Sequence, residues 1–164
     1  MTIGMTIFTL VHVVLSLVGI FSGFVVLFGL LTARQLDGWT AVFLTSTVLT
    51  SVTGFLFPVH RFLPSHAVGI LSLLVLAIAI FARYQRHLAG AWRRTYVISS
   101  VVALYLNVFV LIVQLYEKVP ALKAIAPTQS EAPFKLTQLI TLAFFALLAI
   151  LAAIRFRDAR LRTA

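Results

Sequence analysis

Apolar residues fill five long runs of the chain, and short polar breaks separate them. The runs cover residues 7–33, 39–57, 65–82, 96–116 and 134–154. Each is close to the length of about 20 residues that a helix needs to cross the hydrocarbon core of a bilayer. Backbone groups in lipid must form hydrogen bonds within their own segment, and the runs lack the alternation of strands, so helices are expected. The pattern predicts an all-α membrane bundle of five transmembrane helices, formed as one domain over residues 1–164.

The composition supports a membrane protein and excludes several kinds of chemistry. The chain is 62% hydrophobic and 10% charged, whereas about a quarter of the residues of a soluble domain are charged. It has no cysteine, which excludes disulfides, thiolate metal sites and cysteine-bound iron–sulfur clusters. No Lys or Arg precedes Arg34 and no cleavage site follows a short apolar core, so the first run is expected to stay as a span.

The basic residues predict an orientation rather than a nucleic-acid partner. The net charge is +9, and nine basic residues follow the first, third and fifth runs: Arg34, Arg83, Arg86, Arg93, Arg94, Arg155, Arg157, Arg160 and Arg162. The opposite side carries four: Arg61, Lys118, Lys123 and Lys135. Because cytoplasmic loops are rich in Lys and Arg, the distribution predicts a multi-pass protein of the cell inner (plasma) membrane. Its N-terminus lies outside and its C-terminus in the cytoplasm.

Small and polar residues repeat at helical spacing in three of the runs. His12, Ser16, Gly19 and Gly23 share one face of the first run, and the two glycines indicate close helix packing. A second stripe, in the second run, also indicates packing; it consists of Thr47, Thr50, Ser51 and Gly54. The fourth run carries a third stripe, made of Tyr96, Ser100, Asn107, Gln114 and Glu117. An unpaired amide in hydrocarbon is costly, so this face should point into the bundle. It forms either interhelical hydrogen bonds or the polar wall of a ligand cavity that opens outward.

Three histidines are expected at the same depth, near the outer boundary of the membrane. His60 and His66 lie in or beside the turn between the second and third runs, which Pro58 and Pro64 bracket. Counting back about 20 residues from the end of the first run places His12 at a similar level.

Three kinds of site are compatible with imidazoles at this depth. The first is haem b held by His12 and His66, with Arg61 and Lys118 facing the propionates. The second is a copper or zinc site of His12, His60 and His66. The third is a quinone site in which a histidine and Glu117 exchange protons with the ring oxygens. The candidate ligand-binding residues are therefore His12, His66, Arg61, Glu117, Asn107 and Gln114. The alternative is that the imidazoles are solvated among lipid headgroups.

The leading hypothesis is a small cofactor-binding membrane protein linked to electron transfer. The chain has no glycine-rich phosphate loop, zinc-protease motif or nucleophile elbow, so the sequence assigns no enzyme activity. The alternatives are a carrier of a small solute or proton, and a non-catalytic subunit of a larger membrane complex. The expected partners are the lipid bilayer, a quinone or small hydrophobic ligand, and further copies of the chain or other membrane subunits.

Overall fold

The chain folds into helices joined by short connections. The computed structural model describes residues 3–57 and 64–158. These residues form six α-helices: α1 (Ile3–Leu31), α2 (Asp37–Gly54), α3 (Pro64–Ile80), α4 (Trp92–Lys118), α5 (Pro120–Ile125) and α6 (Ala132–Asp158). A π-helical turn, Phe81–Gln85, continues α3. No strand occurs in the described part of the chain, so the predicted all-α fold is confirmed.

Among the described residues, four helices are long and apolar enough to cross a membrane. They are α1, the segment His66–Gln85, α4 and the segment Ala132–Phe156. The second predicted span corresponds to α2, which has 18 residues but is not apolar enough to be among these four. Its hydroxyl residues are Thr40, Thr45, Ser46, Thr47, Thr50, Ser51 and Thr53. Several of these hydroxyls donate to carbonyls one turn back along the helix, as Ser46 does to Val42.

The helix boundaries differ from the predicted runs mainly at their ends. α1 begins at Ile3 and ends in a Schellman motif, in which Arg34 N–H donates to Gly29 O. Ala33 occupies the left-handed position of this motif with φ 59°, where glycine is usual. The loop between the fourth and fifth runs contains the short helix α5, which starts at Pro120 because proline suits a first helical turn.

The helices run alternately in opposite directions, so the bundle has two distinct ends. We call the end that carries His12 and His66 the histidine end, and the end that carries Arg34, Arg83 and Arg94 the arginine end. α1 packs against α2 and α4, and α4 also packs against α3 and α6.

The packed core lies toward the arginine end. Buried side chains of the long helices lie mainly within residues 19–30, 40–51, 72–82, 96–106 and 145–156. At the histidine end of α4, by contrast, every residue from 107 to 114 is only half-buried. The bundle is therefore packed more tightly at the arginine end than around residues 107–114 of α4, toward the histidine end.

Candidate functional site

His12 is held in one orientation by α2. Its Nδ1 lies 2.8 Å from Thr53 Oγ1, and the Thr53 hydroxyl donates to Leu49 O at 2.7 Å. A hydroxyl has one hydrogen to donate, so Thr53 accepts from Nδ1–H, and we assign the proton of the neutral imidazole to Nδ1. Nε2 is then the nitrogen with the lone pair. This is the form in which histidine accepts a hydrogen bond or binds a metal.

Two aromatic rings form a wall beside His12, just beyond the end of α2. The His12 ring meets Phe57 edge-on, with centroids 5.1 Å apart, and Phe8 lies 4.9 Å from Phe57. Gly54 leaves room for the imidazole, since a Cβ there would lie 3.7 Å from His12 Cε1. The half-buried imidazole therefore sits between a hydroxyl and an apolar aromatic wall.

His66 contacts a different residue of the same segment. Its ring stacks on Phe55, with centroids 5.6 Å apart and planes inclined by 20°. Phe55 packs toward α3, where a Cβ at Gly69 would lie 2.9 Å from Phe55 Cζ, whereas Phe57 contacts Phe8 and His12 of α1. His12 and His66 therefore approach the end of α2 from different sides.

The predicted metal and haem sites each include a residue that the structure does not describe. His60 and Arg61 lie outside the described residues. Within the part that is described, no group of three or more His, Asp or Glu residues could hold a metal ion. Glu117 is exposed at the end of α4, as is Lys118. The three-histidine metal site and the haem site with Arg61 and Lys118 thus remain predictions.

Asn107 links α4 to α2 at Thr47, which lies six residues, or about 9 Å along the helix, before Thr53. Asn107 Nδ2 donates to Thr47 Oγ1 at 3.1 Å. α1 can approach this contact closely because it has Gly19 there; a Cβ at Gly19 would lie 3.1 Å from Thr47 Oγ1. This contact matches the predicted interhelical hydrogen bond, and Gln114, two turns further along, is half-buried.

One hydroxyl between these two contacts lacks a partner. Thr50 Oγ1 is buried and makes no hydrogen bond among the described residues. Thr50 lies one helical turn from both Thr47 and Thr53, on the same side of α2. A buried hydroxyl without a partner costs about 1–3 kcal/mol. Together with His12 Nε2, it gives the site one donor and one acceptor.

The loop before α6 is tied to α4 rather than to the His12 side of the bundle. Gln129 Nε2 donates to Val113 O at 3.1 Å. The carboxylate of Glu131 accepts from the Thr128 hydroxyl and from the backbone N–H groups of Thr128 and Ser130. These hydrogen bonds, that of the Thr128 hydroxyl first, lower the pKa of Glu131. The loop is therefore ordered by local contacts.

The arginine end contains a buried cation that the sequence pattern did not reveal. The side chain of Arg83 is only 9% exposed and pairs with Asp37, which is 80% exposed. Its guanidinium lies 5.3 Å from the centre of the Tyr96 ring, and Tyr96 OH lies 3.4 Å from Thr40 Oγ1. The charge pattern used Arg83 only to predict the orientation, whereas its side chain, in the π turn, points into the bundle. The only indication in the sequence was Asp37, an acidic residue in the polar break that also contains Arg34.

Comparisons with protein-family models, curated proteins and solved structures found no match.

Proposed function

We propose that the chain is a small multi-pass protein of the cell inner membrane that binds a quinone at the histidine end. The topology in this proposal has five spans, with the N-terminus outside and the C-terminus in the cytoplasm. α2 supplies the fifth span, because 18 residues extend about 27 Å against a hydrocarbon core of about 30 Å. Five of its seven hydroxyls have partners inside the bundle or bond back to carbonyls of their own helix, which lowers their cost in lipid.

The observation that carries the proposal is the orphan hydroxyl of Thr50 near the oriented imidazole of His12. A quinone ring offers oxygen acceptors, and Thr50 Oγ1 has a hydrogen to donate. The reduced quinol offers O–H donors, and His12 Nε2 has a lone pair to accept from them. Phe8 and Phe57 form an apolar aromatic wall for the ring.

A quinone fits these residues better than the other two candidate groups. Bis-histidine haem needs both imidazoles on one iron, whereas His12 and His66 contact different residues of α2's end. A copper or zinc site needs three or more ligands, and His60, the third predicted ligand, lies outside the described residues. A quinone needs only one donor and one acceptor beside an apolar wall.

A carrier is the second candidate, and the core packing argues against it. Phe43 and Leu104, each 1% exposed, pack around Gly23 below the Asn107 contact. A solute path from the histidine end to the arginine end would have to open this layer. Transport therefore requires a second conformation.

The proposal is tested by solvent extraction of the detergent-purified protein, followed by chromatography and redox difference spectra of the extract. We expect quinone to co-purify, and Thr50→Val to weaken rebinding about fivefold, since one hydrogen bond contributes about 1 kcal/mol. Thr45→Val, at an exposed position of the same helix, is the matched control and should leave binding unchanged.

Histidine variants distinguish the quinone from haem. His12→Phe should abolish quinone retention, while His66→Phe should preserve it. A Soret band in the purified protein that both variants remove would replace the quinone with bis-histidine haem. A preparation with neither quinone nor haem, and no rebinding of added quinone, would refute the proposal.

A further inference from the structure

An apolar groove runs along the lipid-facing side of the bundle at the arginine end, far from His12. It has a volume of about 600 Å³ and lies between α4 and α6. Its lining is Arg94, Ile98, Ala146, Ala149, Ile150, Ala153 and Ile154. The groove forms because the three alanines of α6 are small, whereas the isoleucines on either side project outward as walls.

The length of the groove matches one half of a bilayer. Its α6 lining extends from Ala146 to Ile154, eight residues along the helix, or about 12 Å. One leaflet contributes about half of the 30 Å hydrocarbon core. A groove of this depth that begins at the membrane boundary and ends near the midplane fits a chain from a single leaflet.

The mouth of the groove is cationic. Arg94 is the only charged residue of the lining, at the end opposite Ala146. Arg93 and Arg155 lie at the same end of α4 and α6. Among the side chains that the structure describes, the ion pair is that of Arg83 with Asp37, so it leaves Arg94 available. A guanidinium recognises phosphate oxygens by two parallel hydrogen bonds.

We propose that this groove binds an anionic phospholipid, with one acyl chain along the alanines of α6 and the phosphate at Arg94. The apolar walls bury the chain, and the charge at the mouth selects the headgroup. If the arginine end is cytoplasmic, anionic lipids of that leaflet are its source. The site is independent of the proposed quinone site, because the two use different helix faces at opposite ends of the bundle.

Native mass spectrometry of the detergent-purified full chain tests the proposal, with phosphatidylglycerol and phosphatidylcholine of identical acyl chains as the probes. We expect phosphatidylglycerol to bind about fivefold more tightly, since one arginine near an anionic surface contributes roughly that factor. Arg94→Gln should remove the preference. Arg34→Gln, at the same end but away from the groove, should keep it.

A second experiment fills the groove with a large side chain and measures the binding of both lipids. Ala146→Phe places a large side chain in the groove, and Ala143→Phe places the same side chain on α6 outside it; both alanines are exposed. Only Ala146→Phe should reduce binding of both lipids. Equal binding of the two lipids to the wild-type protein would overturn the proposal. The proposal would also be overturned if Ala146→Phe changed the oligomeric mass of the protein but left lipid binding unchanged. The groove would then hold a second copy of the chain.

Discussion

Gly23 offers the sharpest test of how closely α1 packs in the bundle. A Cβ at this position would lie 2.6 Å from Leu104 Cδ1 and 2.9 Å from Phe43 Cε2. Both neighbours are 1% exposed, so neither can turn away into lipid. Gly23→Ala therefore forces an extra methyl group into a filled core, a change that costs about 1–3 kcal/mol.

Two further glycines of α1 separate packing from helix propensity. Alanine favours a helix over glycine by up to about 1 kcal/mol, and this gain applies to every Gly→Ala change. At Gly4 a Cβ meets nothing within 4 Å, and at Gly19 it meets Thr47 Oγ1 at 3.1 Å. We therefore expect Gly4→Ala to be the most stable variant and Gly23→Ala the least, with Gly19→Ala between them.

Reversible unfolding in mixed detergent micelles, followed by circular dichroism, measures the three free energies of unfolding. Gly23→Ala should be less stable than Gly4→Ala by about 1–3 kcal/mol, the range for overpacking a core. If the free energies of unfolding of Gly23→Ala and Gly4→Ala agreed within about 0.5 kcal/mol, Gly23→Ala would behave like an ordinary surface substitution. That result would show that α1 does not approach Phe43 and Leu104 as described.

Two other predictions concern the arginine end and the orientation. Arg83→Gln should lower the free energy of unfolding by about 1–2 kcal/mol, mostly through lost stacking on aromatic rings, because its partner Asp37 is mainly exposed. Arg34→Gln should change it by less than about 0.5 kcal/mol, and equal effects would contradict the buried position of Arg83. Because the chain has no cysteine, Gln35→Cys and Thr128→Cys can report topology with an impermeant maleimide on intact cells. Only Thr128→Cys should react, and labelling of Gln35→Cys instead would reverse the orientation.

Helix positions could be predicted because lipid requires long apolar segments. The pattern could not identify which face of each helix packs inward, since core-facing and lipid-facing residues are both apolar. Phe43 is 1% exposed and Phe28 is 62% exposed, yet the residue type is the same. Small residues were the better guide: Gly19 and Gly23 do face α2 and α4, as the glycine spacing indicated. The π turn after α3 has no comparable signal in the sequence.

The sequence could predict that His12 and His66 lie at the same end of the bundle, but not the direction of either side chain. Counting residues placed His12 near one end of the bundle, and His66 lies at the same end. A count along the helix gives no angle around it, so it could not show that the two rings contact different residues of the segment that follows α2. The same limit applies to Glu117, which is exposed at the end of α4. Thr50 was recognised only as part of a packing stripe, because a missing hydrogen bond cannot be detected in a sequence.

The hydroxyls of α2 connect the low hydropathy of this helix with the proposed site. Ser46 bonds back to Val42, and Ser51 bonds both to its own helix and to Ser72 of α3. Near His12, the Thr53 hydroxyl donates to Leu49 O and contacts His12 Nδ1, whereas Thr50 Oγ1 stays unpaired. Replacing an unpaired buried hydroxyl by an isosteric methyl group is neutral or stabilising. Thr50→Val should therefore leave the ligand-free protein as stable as the wild type, or more so, while it weakens quinone binding. A purely structural role for this hydroxyl would instead make the variant less stable and leave binding unchanged.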